Sequence, residues 1–321
     1  MKFPSSVARL VTVLFIAGAV CSAPVFAQKD DDVIRVDTDL TAFEVTVSDK
    51  EGRPVRDLKA SDFRVFEDGA ERPVDFFQPI KKEDANRPLS IVFAVDVSGS
   101  MTTQELLRLQ TAMRQFIKRL ADYDSYFAVM TFGMEVETLQ SFTNRPDKLE
   151  KTLAKLVHET DGGSTHAYDA VDEAIRLLRK KSPQSIKGKL PKRAVILITD
   201  GFPVGDIVAP KTVIERANEN ETIVYSVILP SYSRLQGSGK PLMTLLEASG
   251  LIDKTGGRSF YANEKSYDPL FKALAEEITA SYALAFYPDE KGRTDGKFRE
   301  VRIEAGNLVV KQNRRGYRPK P

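Results

Sequence analysis

Cysteine is almost missing from this chain: one residue, Cys21, stands among 321. A single thiol near the N-terminus excludes a disulfide framework, so the protein downstream must be held together by a core. Histidine is nearly as scarce, with only His158 and His166, which leaves little material for imidazole-based chemistry. Net charge is also lacking, since 47 basic side chains face 45 acidic ones. That balance carries no signature of polyanion binding, and nucleic acid is not expected as a partner. After Val20 no apolar run reaches the roughly 20 residues that a membrane span requires.

What is present begins with an export signal. Lys2 and Arg9 precede the apolar run from Leu10 to Val20, and Val25-Phe26-Ala27 offers small residues at a cleavage point before Gln28. This pattern reads as a secretory signal peptide over residues 1–27. The alternatives are an uncleaved anchor and a lipid at Cys21, which Val20 disfavours because a small residue is needed there. Cleavage would remove Lys2, Arg9, Cys21 and no acid, leaving 45 basic and 45 acidic side chains in an exported, cysteine-free chain. The remaining 294 of 321 residues suffice for one large core and a smaller one.

Periodicity divides the remainder. In residues 33–80 apolar Phe43, Val45 and Val47 alternate with Glu44, Thr46 and Ser48, and Asp49 to Gly52 and Glu67-Asp68-Gly69 read as turns. These are short strands with one wet face. Residues 281–318 repeat the pattern through Tyr282, Leu284 and Phe286, then Val301 and Ile303. The two ends are expected to pair as one small β-sandwich-like domain. Between them, residues 87–280 alternate apolar strands (Leu89 to Val95, Tyr126 to Phe132, Val195 to Thr199, Ile223 to Leu229, Ser259 to Ala262) with helical stripes such as Leu106, Leu109, Met113 and Phe116. That alternation predicts an α/β, doubly wound, mostly parallel sheet covered on both faces. Residues 180–193, rich in Lys, Pro and Gly, read as an exposed loop.

The chemistry sits where the apolar strand Leu89 to Val95 runs into Asp96-Val97-Ser98-Gly99-Ser100. A buried parallel strand must carry its polar tip at the C-terminal edge, where open α/β sheets bind ligands. Two more segments supply oxygens: Gly162-Gly163-Ser164-Thr165 ahead of a helix, and the strand ending Ile198-Thr199-Asp200. A cation held by Asp96, Ser98, Ser100, Thr165 and Asp200 would see oxygen alone. Such a donor set selects hard ions, Mg²⁺ ahead of Mn²⁺ and Ca²⁺. Both acids are expected at solvent-facing strand ends.

These residues resemble the von Willebrand factor type A domain, whose adhesion site has the order Asp-x-Ser-x-Ser, then Thr, then Asp. Asp96, Ser98 and Ser100 match the first element, Thr165 the second and Asp200 the third; Ser164 is a rival hydroxyl beside Thr165. The flanking segments, including Asp62 to Gly69 and Arg315-Gly316-Tyr317, resemble exported bacterial proteins related to that domain. The resemblance implies a Rossmann-like fold and a metal site that keeps one position open for a partner's carboxylate. It further implies adhesion or protein binding without catalysis, in the periplasm or outside the cell.

Plainer readings compete at each position. Asp and Ser residues cap helices and turns without metal. Asp169 is either a bond to the site loops or an ordinary first-turn acid, and Asp206 reads as a loop acid. A Ser/His/Asp hydrolase built from Ser98, His166 and Asp200 lacks the Gly-x-Ser-x-Gly elbow at Ser98, and a metal-assisted hydrolase using an activated water would need a positioned base, for which His166 is the nearby histidine. Gly237-Ser238-Gly239-Lys240 lacks phosphate-loop spacing, and Tyr225, Tyr232, Tyr261 and Tyr267 define no site. The loops Thr131 to Phe142 and Phe202 to Pro210 are expected to set partner choice.

Overall fold

The computed structural model describes residues 40–78, 87–99, 102–156, 164–229, 243–262, 267–288 and 296–319. The expected signal peptide, Ser100, His158, Gly162-Gly163, Tyr232 and residues 237–240 lie outside the described residues.

The chain enters through β1 (Thr41–Ser48), β2 (Arg64–Glu67), β3 (Ala70–Arg72) and β4 (Phe76–Gln78). It then builds the α/β unit, starting with β5 (Leu89–Asp96), α1 (Thr103–Arg119), β6 (Tyr126–Phe132), β7 (Val136–Thr143) and α2 (Pro146–Leu153). Next come α3 (Ala167–Lys181), β8 (Lys192–Thr199), α4 (Pro210–Glu219) and β9 (Thr222–Ile228). The short α5 (Leu245–Ala248) and α6 (Leu251–Lys254), then β10 (Ser259–Tyr261) and α7 (Asp268–Thr279), complete it. The chain leaves through β11 (Ser281–Phe286), β12 (Arg299–Glu304), β13 (Val309–Gln312) and β14 (Gly316–Tyr317).

The six-stranded sheet has the order β10-β9-β8-β5-β6-β7, parallel except for β7. Residue alternation along β5 assigns each face a helix layer. Ile91, Phe93 and Val95 pack with Leu109, Met113 and Phe116 of α1 and Phe271, Leu274 and Ile278 of α7. Val92 and Ala94 pack with Val171, Ala174, Ile175 and Leu178 of α3 and Val213 and Ala217 of α4. A strand covered on both faces is apolar through its middle, and this is why Ile91 to Val95 of β5 and Ala194 to Ile198 of β8 read as unbroken runs.

Residues on either side of the α/β unit share two four-stranded sheets, β13-β1-β11-β4 and β14-β12-β2-β3. Their common core holds Phe43, Val45 and Val47 against Val65, Tyr282, Leu284, Phe286, Val301 and Ile303. Tyr282 donates its phenol to the Val55 carbonyl at 2.8 Å and accepts from the Leu58 amide at 3.2 Å, which satisfies its one polar atom.

Two expectations are corrected. Residues 131–142 are not a long loop, because β7 takes up Val136–Thr143 and only 133–135 remain as a turn. Nor is 180–193 loop throughout: α3 extends to Lys181, β8 begins at Lys192, and that lysine is 3% exposed. Its ammonium donates to the Ile278 carbonyl at 2.9 Å and the Ser281 hydroxyl at 3.0 Å, and it lies 3.8 Å from the Glu44 carboxylate of β1. Burial pushes the Glu44 carboxyl up, yet Arg87 and Lys192 outweigh it and hold the group below its ordinary value. Burial lowers Lys192 in turn, against the pull of Glu44. The joint between the α/β unit and the β-sheets is thus a buried charge pair. Among the described residues no helix is long and apolar enough to cross a membrane.

Candidate metal centre

β5 delivers Asp96 to the C-terminal edge of the sheet, and Gly99, with φ +85°, turns the chain back. That left-handed backbone costs little without a Cβ. α1 then starts on a reciprocal cap. The Thr102 hydroxyl accepts from the Glu105 amide at 3.2 Å, and the Glu105 carboxylate accepts from the Thr102 amide at 2.7 Å.

A continuous chain of oxygens follows. Thr199, the residue before Asp200, donates its hydroxyl to Asp96 Oδ2 at 2.7 Å. Asp96 Oδ1 accepts from the Ser98 amide at 3.0 Å, and the Thr165 hydroxyl lies 3.2 Å from Ser98 Oγ. Thr165 is held by its main chain, whose N–H and C=O both pair with Val204 at 2.9 Å. Asp200 Oδ1 accepts from the Phe202 amide at 3.1 Å. The structure therefore brings Asp96, Ser98 and Thr165 into one hydrogen-bonded chain, with Asp200 adjoining it through Thr199. Ser164 turns its hydroxyl toward Gly205 instead.

Asp96 is not solvent-facing as expected: it is 1% exposed, because β5 lies between β6 and β8 and Thr199 covers its tip. Burial pushes its carboxyl up, and the charge of Asp200 adds to this, against hydrogen bonds from Ser98 and Thr199. Among the described residues neither Asp96 nor Asp200 has a lysine or arginine partner. A buried acid next to a second acid, without a basic neighbour, is what a bound cation would relieve. Nor do three or more His, Cys, Asp or Glu side chains cluster as a metal site among the described residues. The available donors are carboxylate and hydroxyl oxygens, and they fit a hard ion.

Two acids outside the expected ligand set lock the loops. Asp206 Oδ1 accepts from the Tyr168 and Asp169 amides at 2.7 and 3.0 Å, capping the first turn of α3. Asp169 returns the contact, accepting from the Ile207 amide at 3.0 Å and the Val208 amide at 2.7 Å. Asp169 thus does bind the site loops, whereas Asp206 is a helix cap that its position in a loop concealed. Burial pushes the Asp206 carboxyl up. His166 Nδ1 lies 3.4 Å from Asp169 Oδ2 and its other nitrogen faces Gly205, so it makes no hydrogen bond to Ser98. Thr199 was the missed residue. A lone hydroxyl at the end of Ala-Val-Ile-Leu-Ile-Thr, otherwise apolar, was the available signal.

Comparison with known proteins identifies the family of the α/β unit. Residues 91–202 match the family described as von Willebrand factor type A domain. The chain is 28% identical over 180 residues to the calcium-activated chloride channel regulator 1 of Bos taurus, covering 54% of this chain and 17% of that one. It is 29% identical over 155 residues to the inter-alpha-trypsin inhibitor heavy chain H2 of Mus musculus, covering 47% and 16%. The match therefore spans less than a fifth of either relative. Among solved structures, BatB from Bacteroides thetaiotaomicron aligns at a TM-score of 0.45 and 16% identity, covering 60% of this chain and 97% of that one.

Proposed function

The protein carries a von Willebrand factor type A domain, matched over residues 91–202, and from that premise we propose an exported, non-enzymatic binding module that captures a partner's carboxylate through a divalent cation. Asp96 and Asp200 supply the negative charge, and Ser98, Ser100 and Thr165 supply neutral oxygens. The bound ion, Mg²⁺ before Mn²⁺ or Ca²⁺, would supply residual positive charge at an open coordination position. The observation that carries the reading is the hydrogen-bonded chain Thr199–Asp96–Ser98–Thr165 at the C-terminal edge of a parallel sheet. Those bonds hold the oxygens in place before any ion arrives, so little order has to be created on binding.

The hydrolase reading gains no support from His166, whose Nε2, the nitrogen left free by the Asp169 contact, faces Gly205. Export is supported by the N-terminal signal read from the sequence. The test is calorimetric titration of the protein with MgCl₂ and MnCl₂, alongside Asp200→Asn and Thr165→Val. Saturable binding that both substitutions weaken is expected. Absence of binding to the unsubstituted protein, or equal binding by all three, would overturn the proposal.

A further inference from the structure

The loops around the cation edge turn apolar side chains outward. Ile207 is 89% exposed and Met243 77%, and Met134, Val204 and Leu245 are more than half exposed as well. Single exposed apolar residues are ordinary on any surface. These five, however, are among eleven large exposed apolar side chains in the described residues, and each is tied to the candidate metal centre. Val204 pairs with Thr165 through both main-chain groups. Ile207 donates its amide to Asp169. Met134 follows Gly133, whose carbonyl accepts from the His166 amide at 3.2 Å. Leu245 and Met243 flank Thr244, which packs on Gly201, and the next amide, Leu246, donates to the Gly201 carbonyl at 3.2 Å.

Two properties make this collar a recognition surface. Its backbone is already pinned, so contact with a partner need not first order the loops. Its side chains also carry no positive charge: residues 133–135, 201–209 and 243–245 contain no lysine or arginine, and of their two acids Asp206 is committed to α3. A purely acidic partner would find only the cation attractive, whereas apolar neighbours of the acid would bury Ile207, Val204 and Met243. We propose that the occupant is a protein segment whose captured Asp or Glu lies within two positions of bulky apolar side chains. The proposal rests on the carboxylate-capture reading above and adds what surrounds the acid.

The test uses the Mn²⁺-loaded protein, immobilised, and a phage-displayed library of random dodecapeptides eluted with EDTA. Enrichment of an acid flanked by Phe, Leu, Ile or Met is expected. Enriched acids with polar or basic neighbours, or no enrichment, would overturn it. Synthetic peptides Gly-Phe-Glu-Leu-Gly and Gly-Ser-Glu-Ser-Gly then isolate the collar, with the apolar version expected to bind about tenfold more tightly. Ile207→Ser with Met243→Ser should erase that difference while Mn²⁺ affinity, titrated separately, stays within about twofold. Equal binding of both peptides by Mn²⁺-loaded protein would refute the collar and leave carboxylate capture standing. Failure to bind Mn²⁺ at all would instead refute the capture reading, and the collar with it.

Discussion

Neutralising Glu44 with glutamine should destabilise the protein by about 3 kcal/mol, the scale for removing one partner of a buried ion pair. The substitution keeps shape and volume, but it leaves the Lys192 ammonium, 3% exposed, with two neutral acceptors, a neighbouring Arg87 cation and the weaker pull of Glu277. Lys192→Met should cost less, about 2 kcal/mol, because it deprives the Ile278 carbonyl and Ser281 hydroxyl of a donor without stranding a cation. The double variant then lacks the stranded ammonium, and its loss should fall short of the sum by about 2 kcal/mol. Urea unfolding of the four proteins, read as midpoints at constant slope, measures all three quantities. Additivity within about 0.5 kcal/mol would refute the coupling between Glu44 and Lys192.

The same joint sets an acid limit. The folded Glu44 carboxyl lies below its ordinary value of 4.5, so its contribution is complete above that pH and is lost as pH falls through the folded value; a Glu44→Gln protein should show a flatter loss of stability below pH 4.5 in thermal unfolding scans, and parallel curves would contradict this. Asp206→Ala removes the acceptor of two α3 amides and should cost about 1 kcal/mol, while Asp206→Asn, which keeps an acceptor, should cost less; equal losses in urea unfolding would argue against the cap. Gly201→Ala places a Cβ 2.6 Å from Thr244 Cγ2 at φ +88°, so a loss of about 2 kcal/mol is expected from strain and clash together, and a neutral variant would show that α5 can retreat. Mg²⁺ should raise the thermal midpoint of the unsubstituted protein more than that of Asp200→Asn at the same concentration, which differential scanning calorimetry will show.

The central parallel strands were legible because burial on both faces gives them long apolar stretches, and Tyr126–Phe132 coincides with the expected run. β7 was hidden by its place at the sheet edge, where Glu137, Thr138, Gln140 and Ser141 face water and imitate a loop. Asp96, Ser98, Thr165 and Asp200 were legible as a pattern of oxygens, but the burial of Asp96 was not, because it depends on strands β6 and β8 closing around β5. Lys192 was misread for a related reason. A lysine in a polar stretch looks exposed until its acid is known, and Glu44 lies 148 positions earlier in the chain. The reciprocal lock between Asp169 and Asp206 likewise joins residues 37 apart, which no local pattern records.

β4 and β11 are hydrogen-bonded neighbours, with Gln78 opposite Ala283. The α/β unit thus departs and returns through adjacent strands, at the sheet edge opposite Asp96. Tension arriving along the polypeptide would pass from β4 to β11 across their rungs and bypass the inserted unit. Mechanically, the part with the candidate metal centre hangs from the load path like a pendant on a cord. Force applied between the two ends of the chain is therefore borne by the β-sheets before the six-stranded sheet begins to be stretched.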